Sequence, residues 1–439
     1  MVRAHRARAG RGLALVAVVA LASAAALVPS AGAQTSVPGV TDTSVKLGFI
    51  SAETGAAAST GNGAADACKA RIGRANAEGG VNGRKIELEA VDDQSSPGNL
   101  DKAKDLVENR KVFAVINDSA LAFFAYRYLV SAGVPVIGGG FDGNYYYEKG
   151  NENIISGLGG SSPVPGLTYD TGTKMIKKLG GKKLAAVGYG ISPSSSENAK
   201  AVYEYAAPKA GLESTYLNTT VDFGSTDVGP IVLGIKNSGA DSLWLPLNSN
   251  TNLAIVQGLQ QNGVQMKANL MATGYGQELL DSPVKDILTE RDVFSTGFRP
   301  VELGGAGVKQ FMKDRKKYST LTGVPDWGEY TGYVTCDIAV MGLEGAGKNL
   351  TRQGFIDAIR SEDSYDGAGL TCAPYDFTLA NYGKVNTTSC QWYVIYKDGK
   401  FKVLNNGKPI VGQLVGKPDL IQKYTAGGGG VVPTTAAAG

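Results

Sequence analysis

The chain has 439 residues, with 60 glycines and with 43 basic against 40 acidic side chains. Four of the basic residues, Arg3, Arg6, Arg8 and Arg11, crowd the first eleven positions; beyond them the balance is close to neutral, which excludes a polyanion such as nucleic acid as the expected partner. The only histidine, His5, lies in the same opening stretch, so the rest of the chain has no Ser-His-Asp or Cys-His catalysis and no His-ligated zinc.

After the four arginines comes an apolar run over 13–27 and then Ala31-Gly32-Ala33, a small-x-small cleavage signal. Residues 1–33 therefore read as a secretory signal peptide cleaved near Ala33. The run is too short for a spanning helix, and no later stretch holds some eighteen uninterrupted apolar residues, so the chain is not expected to span a membrane. No cysteine follows the run to carry a lipid anchor. The expected location is secreted or extracytoplasmic.

About 400 remaining residues predict two domains rather than one core. From Val45 strand-like and helix-like segments alternate: VKLGFI (45–50) before a helical stretch reaching Ala77, RKIELEAV (84–91) before LDKAKDLVENR (100–110), VFAVI (112–116) before LAFFAYRYLVSA (121–132), then VPVIG (134–138). These strands are apolar on both faces and rich in Val and Ile, as in a parallel sheet covered by helices on either side. The Gly/Ser/Pro-rich stretch GLGGSSPVPG (157–166) interrupts the pattern, placing a boundary near 157–162. A second series follows, with strands KLAAVGY (183–189), STYLNTTV (214–221), DSLWLPL (241–247) and NLMATGY (269–275) between helical patterns at 196–210, 226–238 and 250–262. Past Asp292 come a short strand, VFSTGF (293–298), helices at 305–320, 329–346 and 351–361, and the strands QWYVIY and KFKVL around Lys397-Asp398-Gly399, a hairpin signal. The tail over 425–439 is too poor in apolar side chains to fold and is expected to be disordered.

Cys68, Cys336, Cys372 and Cys390 make an even set in an exported chain, which favours two disulfides. Of the three possible pairings we expect Cys372 with Cys390, closing a short loop, and Cys68 with Cys336, joining two helices; buried thiols are the alternative. Metal binding is not expected from cysteines so scattered, and no cofactor is predicted.

Several motifs read more simply than they look. GLEGAGKN (342–349) nearly spells a phosphate-binding loop, but Asn349 stands in place of the hydroxyl and the preceding residues read as a helix rather than a strand, so Gly345 and Gly347 are helix-terminating glycines. GNGAAD (61–66) puts Asp66 where a dinucleotide fingerprint needs its third glycine. Asp92 and Asp93 are adjacent on a strand and point to opposite faces, a solvated strand end rather than a carboxylate pair. Ser194, Ser195 and Ser196 form a helix cap with no base to activate a nucleophile. Asn117, Asp118 and Ser119, by contrast, stand at the carboxyl end of an apolar strand, and Gly138 to Asp142 at the next. Ligands of open parallel sheets bind at such ends, so the triplet reads either as one wall of a small-molecule cleft or as a turn with a cap.

The stretch VKLGFISAETGAAASTGNGAADACKARIGRANAEGGVNGRKIELEAVDDQSSP, with VFAVIN and AGVPVIGG after it, resembles the leucine/isoleucine/valine-binding family of ABC-importer solute receptors. VDFGSTDVGPIVLGIKNSGADSLWL and YTGYVTCDIAVMGLEGAG extend the likeness over about 43–404. The resemblance implies the type I periplasmic-binding-protein fold: an α/β protein of two Rossmann-like lobes with parallel sheets joined by a three-segment hinge. It divides the chain into lobe 1 over 43–157, lobe 2 over 158–291, a return to lobe 1 over 292–385 and a C-terminal hairpin of lobe 2 over 386–415. By position Ser119, Gly140 and Asp142 match first-lobe segments that hold a ligand's carboxylate, Thr60 falls in the early loop that covers the ligand, and Ser195 and Asn248 match second-lobe wall positions. Where amino-acid-binding members place a glutamate for the ligand's ammonium, this sequence reads Gly274-Tyr275-Gly276. That departure shifts the expected ligand from a plain branched-chain amino acid to a small carboxylate, amide or aromatic molecule stacked on Tyr275 or Phe141. The implied role is capture of a small polar or amino-acid-like solute for an ABC transporter permease, without catalysis. A ligand-sensing receptor domain of the same fold, for an amide, urea or aromatic acid, is the alternative; a secreted hydrolase is disfavoured by the missing histidine.

Overall fold

A computed structural model describes residues 37–140, 142–157 and 164–425. The signal-peptide reading over 1–33, Phe141, most of the boundary at 157–162 and the tail beyond Thr425 lie outside the described residues.

Among the described residues the strands form two sheets. The first runs in the order β2-β1-β3-β4-β5, built from β1 (Ser44–Ser51), β2 (Lys85–Asp92), β3 (Ala114–Asn117), β4 (Val136–Gly138) and β5 (Ile154–Ser156). Every neighbouring pair in it is parallel. Its two-faced apolar character is met by burial on both sides: Leu47 and Phe49 pack in one core, Ile50 and Val115 in another. The second sheet is mixed. β7 (Lys183–Tyr189), β8 (Glu213–Val221), β9 (Ser242–Leu245), β10 (Ala268–Met271) and β11 (Asp292–Thr296) are parallel, in the order β11-β10-β9-β7-β8. Beside β11, β12 (Thr388–Lys397) runs antiparallel, carries β13 (Lys400–Val403) as its hairpin partner and continues to β14 (Ile410–Gly416) and β6 (Leu167–Tyr169). The Lys397-Asp398-Gly399 turn holds Asp398 at φ 54° and Gly399 at φ 78°, the left-handed pair that a two-residue hairpin requires.

Three passages join the two halves: after β5, after β11, and from the helix Arg352–Arg360 back to β12. The sequence reading began the return at Asp292, but Asp292–Thr296 is a strand of the second sheet, and the passage follows it. The helices Ala306–Tyr318 and Trp327–Ala346 then pack on the helix Ala64–Ala77 of the first half. Cys68 is bonded to Cys336 across that packing, with Cα atoms 5.3 Å apart, and Cys372 is bonded to Cys390, the pairing expected among three.

Two local readings need correcting. Asp93 is not a solvated strand end: it is 1 % exposed and accepts hydrogen bonds from Ser119 Oγ, Asn99 Nδ2 and the Ser95 amide. Asp92 is tied down too, by the Thr54 hydroxyl and the Glu53 amide. The loop after β1 therefore holds Asp92, whereas Asp93 is held by its own following turn and by the loop after β3. Gly345 lies inside the helix Trp327–Ala346, against Ala358 Cβ, and only Gly347, at φ 71°, terminates it.

Candidate functional site

A cavity of about 230 Å³ opens between the two sheets. Its wall is made from strand ends. Ala52 follows β1 and Asp118 follows β3 in the first sheet; in the second, Tyr189 ends β7, Pro246 follows β9, Ala272 follows β10 and Gly297 follows β11. All six stand at the carboxyl ends of parallel strands, where open α/β sheets bind ligands. A volume above the roughly 150 Å³ that admits a benzene ring accommodates a small organic molecule.

Two helices of the second half begin at this wall, Pro193–Ala201 behind Ser192 and Ser249–Gln261 behind Asn248. Ser192 rather than Ser194 is the residue preceding the first helix, with Pro193 at its first position, where a missing N–H costs nothing. Four aromatic side chains face the cavity: Tyr189, Phe223, Trp244 and Trp327. Tyr189 and Phe223 meet edge to face at 5.0 Å, and Trp244 donates its indole N–H to Asn198 Oδ1 at 2.7 Å.

Thr60, Ser195 and Asn248 line the cavity. The Ser195 hydroxyl accepts from the Tyr189 amide and donates to the Pro246 carbonyl, tying the ends of β7 and β9 together. Thr60 donates to the Ala57 carbonyl at 2.8 Å. Asn248 reaches across to the first half and donates to the Ala56 carbonyl at 3.0 Å. Further bonds cross beside it: the Gln277 amide to the Val324 carbonyl, the Val324 amide to Gln277 Oε1, and the Glu278 amide to Asp326 Oδ1. The two halves are closed on one another at this edge.

Ser119, Gly140, Asp142 and Tyr275 are buried nearby but do not line this cavity. Ser119 spends its hydroxyl on Asp93 and on the Leu121 amide. Asp142 is fully buried and accepts from the hydroxyls of Tyr145 and Tyr146; burial pushes its carboxyl up to about 7. Tyr275 donates to Glu302 Oε2 at 2.8 Å, accepts from the Val301 amide and packs on Phe401 at 4.8 Å, so its ring is committed to the core and to a small recess shared with Glu278 and Asp326.

Sequence reasoning singled out the Asn117–Ser119 triplet, and the member that reaches the cavity is Asp118. It is 4 % exposed, and Thr331 Oγ1 donates to its Oδ2 at 2.7 Å. Burial, with the nearby carboxylates of Glu53 and Asp142, pushes its carboxyl up to about 8 against the Thr331 bond. The aromatic wall was not foreseen. Trp244 had a signal, an indole inside an otherwise aliphatic strand, whereas Phe223 and Trp327 arrive from a turn and a helix start that periodicity does not connect.

A family model described as "Periplasmic binding protein" matches residues 44–399. No curated protein matches the sequence. Among solved structures, the fatty acid ABC transporter substrate-binding protein from Thermomonospora curvata is similar at 24 % identity with a TM-score of 0.69, over 90 % of this chain and 97 % of that one. The branched-chain amino acid transporter substrate binding protein from Streptococcus pneumoniae, in complex with isoleucine, is similar at 18 % identity and a TM-score of 0.64, over 82 % and 99 %. A solute binding protein from R. palustris in complex with benzoate gives 15 % identity and a TM-score of 0.63, over 85 % and 98 %. At these identities the likeness establishes a shared fold.

Proposed function

The chain belongs to the periplasmic binding protein family, and from that premise we propose that it is an extracytoplasmic receptor that captures a small solute between its two halves and hands it to an ABC importer permease. The observation that carries this reading is the cavity walled by six parallel-strand ends drawn from both sheets. A site shared between two halves joined by three passages binds its ligand by hinge closure, and closure couples occupancy to the shape that a permease reads. Thr60, Ser195 and Asn248 are proposed as polar wall residues, with Trp244 and Trp327 as aromatic faces. The sequence likeness to the leucine/isoleucine/valine-binding members supports a small polar or amino-acid-like ligand, and the opening arginines and apolar run support export. The solved relatives include a fatty acid transporter's binding protein and complexes with isoleucine and with benzoate, so this fold accommodates ligands of differing chemistry.

Mass spectrometry of small molecules released on denaturing freshly purified protein tests the reading. A stoichiometric solute is expected, and adding it back to stripped protein should lower the radius of gyration in solution scattering. Absence of any released or screened solute that compacts the protein would refute the receptor role.

A further inference from the structure

Most polar side chains at the cavity wall already serve one another. Tyr189 donates to Thr251 and accepts from the Asn248 amide, Asn198 accepts from Trp244, and Thr273 donates to the Leu247 carbonyl. Asp118 differs. Its Oδ2 takes the Thr331 hydroxyl, while its Oδ1, shielded from water, has no hydrogen-bond partner. A buried carboxyl oxygen left unpaired is costly, and a ligand N–H toward which the carboxyl turned would relieve that cost.

The charge around Asp118 has one sign. Glu53 approaches from the loop after β1, where it accepts from the Ser51 hydroxyl and the Gly63 and Ala65 amides; Asp142 approaches from the loop after β4, and the helix Trp327–Ala346 presents only the neutral Thr331. Among the described residues lining the cavity there is no Lys, Arg or His. An anion at this wall would meet the Asp118 carboxyl, with those of Glu53 and Asp142 behind it and no cation, whereas an ammonium would ionise Asp118 and pair with it. Indole and phenol faces offer the rest of such a ligand an apolar, cation-tolerant surface.

Resting on the solute-binding reading above, we propose that the cavity selects an amine, with Asp118 as the specificity-determining residue that receives the ligand's ammonium and the aromatic wall holding its apolar body. Titration calorimetry with three probes sharing one aryl-ethyl frame tests this: 2-phenylethylamine, neutral 2-phenylethanol and anionic phenylacetate. The amine should bind tightest, and Asp118→Asn, which keeps an acceptor for Thr331, should weaken amine binding roughly ten- to hundredfold while changing alcohol binding little. A second measurement needs no variant. Near pH 7 the amine should release protons from the wild-type protein, seen as a dependence of the binding heat on buffer ionisation enthalpy, because the ammonium ionises a carboxyl that burial keeps protonated. Preference for the alcohol or the anion, an Asp118→Asn variant that binds the amine unchanged, or binding without proton release overturns the proposal and leaves the receptor reading standing. Failure of all three probes also overturns it, and the receptor reading is then judged by the release experiment alone.

Discussion

Ser119 and Asp118 are neighbours in sequence and have opposite employment. The Ser119 hydroxyl is spent on the buried Asp93, so Ser119→Ala should act on stability: removing a donor to a buried carboxylate costs about 1–3 kcal/mol. Urea denaturation should show that loss, while affinity for the solute found by the release experiment should stay within about twofold. A large loss of affinity without loss of stability would return Ser119 to the cavity wall. Strand-end position was legible for the whole triplet; which member turns inward was not, because consecutive residues leaving a strand diverge, and the partners that claim each side chain come from Asp93 and Thr331, distant in sequence.

At the scale of elements, the helices Ala64–Ala77 and Trp327–Ala346 hold the first half together. Their contact is close because it is made from small residues. A Cβ built on Gly332 would press on the Ala64 carbonyl, and one on Gly328 would stand 2.9 Å from the carbonyl oxygens of Thr60 and Asn62 in the segment that leads into the first of these helices. Neither neighbour is a flexible side-chain end that can move aside. Gly332→Val should therefore cost roughly 1–3 kcal/mol or more by overpacking, read as a lower thermal midpoint. An unchanged midpoint would mean that the helix pair can separate without loss. The same contact sets Trp327, at the start of its helix, against the cavity. The long periodic helices and the Asp-Gly hairpin were visible in sequence. Short β6 was not: three residues become a strand only because β14, some 245 positions away, supplies the partner for Leu167–Tyr169.

Across the whole molecule, buried acids make stability depend on pH. Burial holds the carboxyl of Asp118 up to about 8 and those of Asp142 and Asp326 up to about 7. An unfolded chain releases these protons near pH 4, whereas the folded chain keeps them. Their contribution is therefore complete below about pH 4 and is lost as pH rises through about 7 to 8. Asp92 and Asp241, whose hydrogen bonds lower their carboxyls, lose their contribution only on acidification below about pH 4 and do not offset this trend. Scanning calorimetry should show the unfolding midpoint falling between about pH 5.5 and about pH 8.5, with a shallower fall in Asp118→Asn. A midpoint that stays level or rises across that interval contradicts the assignment.

By itself the sequence determined the class of fold, because apolar period, glycine turns and the order of segments are local properties: two series of Val- and Ile-rich strands between helices leave few arrangements other than two sheets built around parallel strands. It also determined that any site should lie at strand ends. Tertiary structure alone decided which side chains meet there. Thr60, Asp118, Ser195, Asn248 and Trp327 come from five separate segments of both halves, and their convergence depends on how the three passages set one sheet against the other. Spacing along the chain carries no record of that angle, since it arises from packing between surfaces that are remote in sequence.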